Sequence, residues 1–203
     1  MKVNRRALGV IAAAAMVTGA VGGCAAATAA TSSGTPLPRG VTVLTAAGCR
    51  ALEAEANRSG KAGWDWGEQG RLDQIVTALD EQRAGYADTF SSVSNDVPGK
   101  KLMLYATDIR RAGAMIQAAL TRHPHLDTQA IRICRARYSQ RAMESAMKAV
   151  MALHDPTIYS AAAGAPDGWG IQVSVKPGTE HRRPAYVAHV RVTWKPGSPA
   201  VPA

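Results

Sequence analysis

Three cysteines, Cys24, Cys49 and Cys134, hold most of the chemistry this chain can offer. A thiol can be acylated, oxidised to a disulfide or bound to a metal, and its compartment and neighbours decide which. No two of them form a Cys-x-x-Cys pair, so neither a zinc ribbon nor a dithiol redox centre is expected. The histidines offer less. His123, His125 and Asp127 have the right atoms for a metal, but they alternate across Pro124 in a loop. No second cluster would complete a coordination sphere, so they read as surface residues. His154 beside Asp155-Pro156, and His189 on the polar face of a strand, have no orienting partner close in sequence. His181-Arg182-Arg183 has the donors to clamp a carboxylate or phosphate, with a solvated turn as the simpler reading. Trp64, Asp65 and Trp66 sit in a Gly-rich stretch and could form a platform for a sugar or peptide. Covering the edge of the core is the competing use of those rings. A Gly-x-Ser-x-Gly elbow, a phosphate loop and His-Glu-x-x-His are all absent. No catalytic, cofactor-binding or metal-binding residue is therefore assigned, and the chain reads as non-enzymatic.

Cys24 has a distinctive context. Lys2, Arg5 and Arg6 precede an apolar run over 7–17, and small residues follow. That order is the layout of a bacterial export signal. The run is too short and too rich in Ala and Gly for a membrane span of about 20 residues. Val21-Gly22-Gly23-Cys24 resembles the lipobox of bacterial lipoproteins, whose usual form is Leu-Ala-Gly-Cys. The resemblance implies that the chain is cut before Cys24 and that its thiol is acylated. The mature protein would then be anchored by lipid to the outer face of the cell membrane. Ordinary secretion, with cleavage in the small-residue run 25–30, is the alternative. Asn4-Arg5-Arg6-Ala7-Leu8 leaves the general and the twin-arginine export routes both open. Acylation of Cys24 in an oxidising compartment leaves Cys49 and Cys134 to pair, the alternative being two buried free thiols.

Loss of the signal, 1–23, removes three basic residues and no acidic one, lowering the formal charge from +9 to +6. A positive exported domain can meet anionic headgroups, wall polymers or an acidic protein partner in the envelope. Export and the lack of an aromatic–basic module speak against nucleic acid. Residues 24–40 are small and polar with Pro36 and Pro38, a flexible tether. A single domain is expected over 41–195, followed by a disordered tail over 196–203. With one Phe in the chain, the core must come from Ala, Val, Ile, Leu and Met.

The elements that would position these residues follow from spacing. A helix over 45–57 starts at Thr45 and carries Cys49 and its main apolar anchor, Leu52. A Gly-rich loop over 59–70 leads to a helix over 71–83 with the stripe Leu72, Ile75, Val76 and Leu79, ended by Gly85. Strands are expected over 86–95 and 101–106, joined by a turn over 95–99, the second nearly all apolar and therefore central. Thr107 or Asp108 caps a helix with Ile109, Ala112, Ile116 and Leu120 buried, stopped at His123-Pro124. A strand over 129–138 carries Cys134. Ser139 caps a helix with Met143, Ala146, Met147, Val150 and Leu153 on one face. After a loop over 155–168, strands over 169–175 and 186–194 alternate as a hairpin with one wet face. The order α-α-β-β-α-β-α-β-β predicts an α+β domain. Its architecture would be a mixed or antiparallel sheet of about five strands with helices on one face.

The succession Gly85-Tyr86-Ala87-Asp88-Thr89-Phe90, Lys101-Leu102-Met103-Leu104-Tyr105-Ala106-Thr107-Asp108 and Ile131-Arg132-Ile133-Cys134-Arg135-Ala136-Arg137-Tyr138-Ser139, each leading into a helix or strand, resembles small exported domains of actinobacteria. More distantly it is similar to the pro-domains of secreted α-lytic-type serine proteases. In those, a strand–strand–helix–strand–helix unit ends in an Arg-Tyr-Ser step, matched here by Arg137-Tyr138-Ser139. The likeness spans roughly 71–192, is mostly hydrophobic pattern, and carries no functional residue across. Two functions are expected from these readings. One is a membrane-tethered, non-catalytic binding or interaction domain. The other is a stand-alone pro-domain-like chaperone or inhibitor of a secreted protease, its sheet edge taking up a partner strand. A hydrolase would require a deep polar pocket with a Ser–His pair or paired carboxylates.

Overall fold

The computed structural model describes residues 36–59, 64–164, 167–180 and 183–199. The expected signal 1–23, the lipidation site Cys24, the tether up to residue 35, His181, Arg182 and the tail beyond 199 lie outside the described residues.

Two four-stranded sheets are present. In the first, β1 (Thr42–Val43), β4 (Ile131–Arg135) and β3 (Lys101–Ala106) run parallel, and β2 (Phe90–Asp96) adds antiparallel to β3. β3 is central and buried on both faces because its side chains are apolar at every position from Leu102 to Ala106. Leu102, Leu104, Ala106, Ile131 and Ile133 point to a core shared with α2 (Trp66–Asp80) and α4 (Ile109–Arg122). Met103, Tyr105 and Cys134 point the other way and pack with Cys49 and Leu52 of α1 (Ala46–Ser59). Helices therefore cover both faces of this sheet rather than one. An apolar strand with no wet face demands it.

The second sheet has the order β5 (Ile158–Ala163), β6 (Ile171–Val175), β8 (Val190–Pro196) and β7 (Tyr186–Val187). One face of α5 (Gln140–Met151) buries Met143, Ala146 and Val150 against Ile171, Val173, Val175, Val190 and Val192. The α+β class holds, with two sheets in place of one of about five strands. Two pairings differ from expectation. β5 replaces part of the expected loop over 155–168, since its run of alanines carries no strand period yet pairs along β6. β6 and β8 are parallel, not a hairpin. The tight reversal lies instead between β7 and β8, at Ala188 and His189, both with positive φ (47° and 64°). The chain has already turned there, so β8 returns alongside β6 in the same direction.

Local capping is as the spacing suggests. Thr45 Oγ1 accepts from Gly48 N at 3.1 Å, Asp108 caps α4 through Arg110 N at 2.8 Å, and Ser139 caps α5 through Ala142 N at 3.3 Å. Asp65 caps α2 through Gly67 N at 2.8 Å, so that helix starts inside the expected loop. Trp64 and Trp66 meet edge to face and both stay exposed, so they do not cover the core. Gly85 lies within a short helical turn, α3 (Arg83–Tyr86), and Leu153 is exposed just past α5. Of the expected tether, the described part docks on the domain. Pro38 is buried, Thr128 Oγ1 donates to Arg39 O at 2.6 Å, and a Cβ on Gly113 would come within 2.6 Å of Leu37.

Candidate functional site

At the carboxyl ends of the parallel strands β3 and β4, on the face covered by α1, lies a cleft of about 270 Å³. Parallel strands end together there, and the chain diverges beyond them, which is where crevices form in such sheets. Ala46, Cys49, Arg50 and Glu53 form one wall. Their spacing of three, four and seven places them on one face of α1. Tyr105 is the floor, Arg135, Ala136 and Arg137 follow β4, and Asp167 and Trp169 close the far side.

The far wall depends on glycine. Gly168 has φ +68°, and a Cβ there would lie 2.5 Å from Ser91 Oγ and 2.8 Å from Tyr138 O. Gly170 has φ +131°, and its Cβ would lie 2.2 Å from Arg191 O. Neither position admits a side chain, so the Asp167–Gly170 turn presses in close to its neighbours. Tyr138 N donates to Gly168 O at 3.2 Å, and Asp167 Oδ1 accepts from Trp169 N at 3.2 Å.

The near wall is held by sulfur. Cys49 and Cys134 stand at disulfide distance, their Cα atoms 6.0 Å apart. Both are buried, and the link fastens α1 to the sheet beside the cleft. The buried Tyr105 hydroxyl donates to Glu53 Oε1. Burial, and then the Glu53 carboxylate, push the Tyr105 phenol well above its ordinary value. Asp167 is also pushed up, chiefly by burial, with Glu53 adding to the rise while Trp169 N–H and Arg50 oppose it. The cleft's cations are differently placed. The Arg137 guanidinium lies 5.5 Å from the Tyr138 ring centroid and 5.9 Å from that of Trp169. Among the described residues none of Arg50, Arg135 and Arg137 is in an ion pair. Trp169 is 49% exposed.

Other residues singled out in the sequence are dispersed. His123 Nε2 lies 2.9 Å from Glu81 Oε2, while Asp127 pairs with Arg71 and caps a turn through Gln129 N at 2.9 Å. Among the described residues no group of three or more His, Cys, Asp or Glu is placed to hold a metal. His154 and His189 are turn residues with positive φ. Arg183 pairs with Asp155 at 2.9 Å and stacks 5.1 Å over Trp194, a structural use of its charge. Of the residues that line the cleft, only Cys49 is marked for chemistry by the sequence. Arg50, Glu53, Asp167 and Trp169 carry no functional motif, and the stretch Ile131–Ser139 that holds Arg135 and Arg137 is matched only as a hydrophobic pattern with an Arg-Tyr-Ser step. The one usable signal is Asp167-Gly168-Trp169-Gly170, an aromatic between glycines where the chain must turn. Comparison with protein-family models, with curated proteins and with solved structures finds no match, so the cleft's own groups must identify its chemistry.

Proposed function

We propose that this protein is an exported, lipid-anchored, non-catalytic binding module that presents the α1 cleft at the outer face of a bacterial membrane. The observation that carries this reading is the set of charged groups that line the cleft. A guanidinium neither gives nor takes a proton near neutral pH, so the three arginines, none in an ion pair among the described residues, are binding groups. Glu53 and Asp167 each accept one local hydrogen bond, from the Tyr105 hydroxyl and from Trp169 N–H, and no Ser, Thr or His is among the described residues that line the cleft, so a nucleophile–base pair is lacking there. Export and anchoring rest on the basic start, the short apolar run and Val21-Gly22-Gly23-Cys24.

Two variants test the two halves. Cys24→Ala should release the protein from the membrane or block its processing, and an unaltered membrane fraction would refute the anchor. Ala46→Trp places a bulky ring at the exposed mouth of the cleft. It should abolish retention of the mature protein by purified cell-envelope material while leaving membrane attachment unchanged. Equal retention would refute the cleft as the binding seat.

A second reading has β5 in its favour. It is an edge strand with no charged residue in Ile158–Ala163, and among the described residues no strand pairs with its outer side. A pro-domain-like chaperone or inhibitor of a secreted protease would take its partner's strand there. Ala162→Lys, a charge on that edge, should then relieve inhibition of the protease, and unchanged inhibition would refute this reading.

A further inference from the structure

We infer that the ligand of the cleft is a small anionic saccharide, a single sugar ring bearing a carboxylate or phosphate. This rests on the cleft being a binding seat and narrows what it seats. Arg50, Arg135 and Arg137 line the cleft and are exposed, and among the described residues none is in an ion pair, Arg50 reaching the Asp167 carboxylate only at longer range. The planar fork of a guanidinium matches two oxygens of one anionic group. An anion alone does not suit the rest of the cleft, because Glu53 and Asp167 stand among the same lining residues. Each carboxylate has about four lone-pair sites, and each is shown accepting only locally, from Tyr105 and from Trp169 N respectively. The ligand must therefore bring donors as well as negative charge. Hydroxyl groups on a ring supply them.

Trp169 adds the third requirement. The Arg137 guanidinium lies over one face of its half-exposed indole, 5.9 Å from the ring centroid, which puts a cation against an aromatic surface at the cleft wall. The C–H face of a sugar ring would pack against the part of the indole that Arg137 leaves uncovered, while its charged substituent meets the cleft's arginines. Size narrows the class further. A cleft of about 270 Å³ falls just under the roughly 300–1,000 Å³ of pockets that hold drug-sized ligands. A space of that size takes one ring with its substituent, and adenosine monophosphate in the titration below tests the larger alternative.

The test is calorimetric titration of the detergent-solubilised mature protein with glucuronate, glucose 6-phosphate, glucose, inorganic phosphate and adenosine monophosphate. Glucuronate or glucose 6-phosphate should bind at least about tenfold more tightly than each of the other three, the minimum for one charge-assisted bidentate contact. Arg135→Gln and Arg137→Gln should each weaken that binding by about tenfold or more. Trp169→Ala should weaken it where Trp169→Phe largely preserves it. These side chains are exposed, so the variants should melt like the parent. Polygalacturonate competing with free glucuronate would identify the ligand as part of an envelope polymer, and binding of glucuronate without such competition would identify a free solute. Either result supports the inference. Glucose, phosphate or adenosine monophosphate binding as tightly as the better of glucuronate and glucose 6-phosphate, no binding of either of those two, or binding indifferent to the arginine variants would overturn it. If it is overturned while Ala46→Trp still abolishes envelope retention, the binding-module reading stands and only the ligand class falls.

Discussion

Breaking the link between Cys49 and Cys134 should cost this domain a large share of its stability and free one particular element. The two residues are 85 apart in sequence. Closing a loop of that length removes about 15 cal/mol/K of entropy from the unfolded chain, or about 4.6 kcal/mol at 25 °C in the chain-entropy model. For a domain of this size that corresponds to a melting-temperature loss of about 9–18 °C. The loss should be felt first by α1. On its inner face α1 contributes only Cys49 and the half-buried Leu52 to the apolar cluster with Met103, Tyr105 and Ala136. One further tie is the Tyr105–Glu53 hydrogen bond. Reduction, or the double substitution Cys49→Ala with Cys134→Ala, should lower the thermal and urea midpoints accordingly. In native-state hydrogen exchange, amides of 46–59 should lose up to about three orders of magnitude of protection while β3 and β4 keep theirs. Ligand binding in the cleft should weaken in parallel, since α1 is its wall. Two free thiols in the unreduced mature protein would refute the pairing. A linked protein whose α1 stays protected after reduction would refute the account of what the link holds.

Two glycines at positive φ, Gly170 in the far wall and Gly178 in the turn after β6, should separate steric from conformational cost. Gly170→Ala, whose Cβ meets Arg191 O at 2.2 Å, should destabilise by at least about 2 kcal/mol, whereas Gly178→Ala, at φ +85° with nothing within 4 Å, should cost only about 1 kcal/mol. Similar urea midpoints for the two would contradict this. The two-residue turn between β7 and β8 places Ala188 and His189 at positive φ. Replacing them with Asn-Gly should raise stability by about 0.5–1 kcal/mol, and a lowered melting point would show that the turn tolerates no such exchange. Asp167 has a folded-state pKa raised above its ordinary 3.8, so the stability it contributes is present at low pH and lost as pH rises through the folded value. Asp167→Asn should therefore melt higher than the parent at pH 7 but not below pH 3.8, and an advantage at low pH alone would reverse the sign.

Much of the local structure is determined by the sequence itself. Thr45, Asp108 and Ser139 announce their helices because a cap acts within three residues, and the apolar run of β3 requires a covered, central place because no residue in it can face water. The α+β class follows from the same short-range periods. The lipobox-like stretch Val21-Gly22-Gly23-Cys24 also lies wholly in the sequence. What only the tertiary structure decides is which element meets which. Alternation in β6 and β8 records a buried face and a wet one, but not whether two strands run parallel, and the early turn at Ala188-His189 settles that. The alanines of β5 become a strand only because β6 offers an unpaired edge. The cleft is the extreme case. Arg50 and Glu53 come from α1, Tyr105 from β3, Arg135 and Arg137 from the end of β4, and Asp167 and Trp169 from a distant glycine turn. No residue among them is unusual where it stands in the sequence. They become a site because parallel strands end side by side, and because the Cys49–Cys134 link and two glycines at positive φ bring the walls close enough to enclose a ring-sized space.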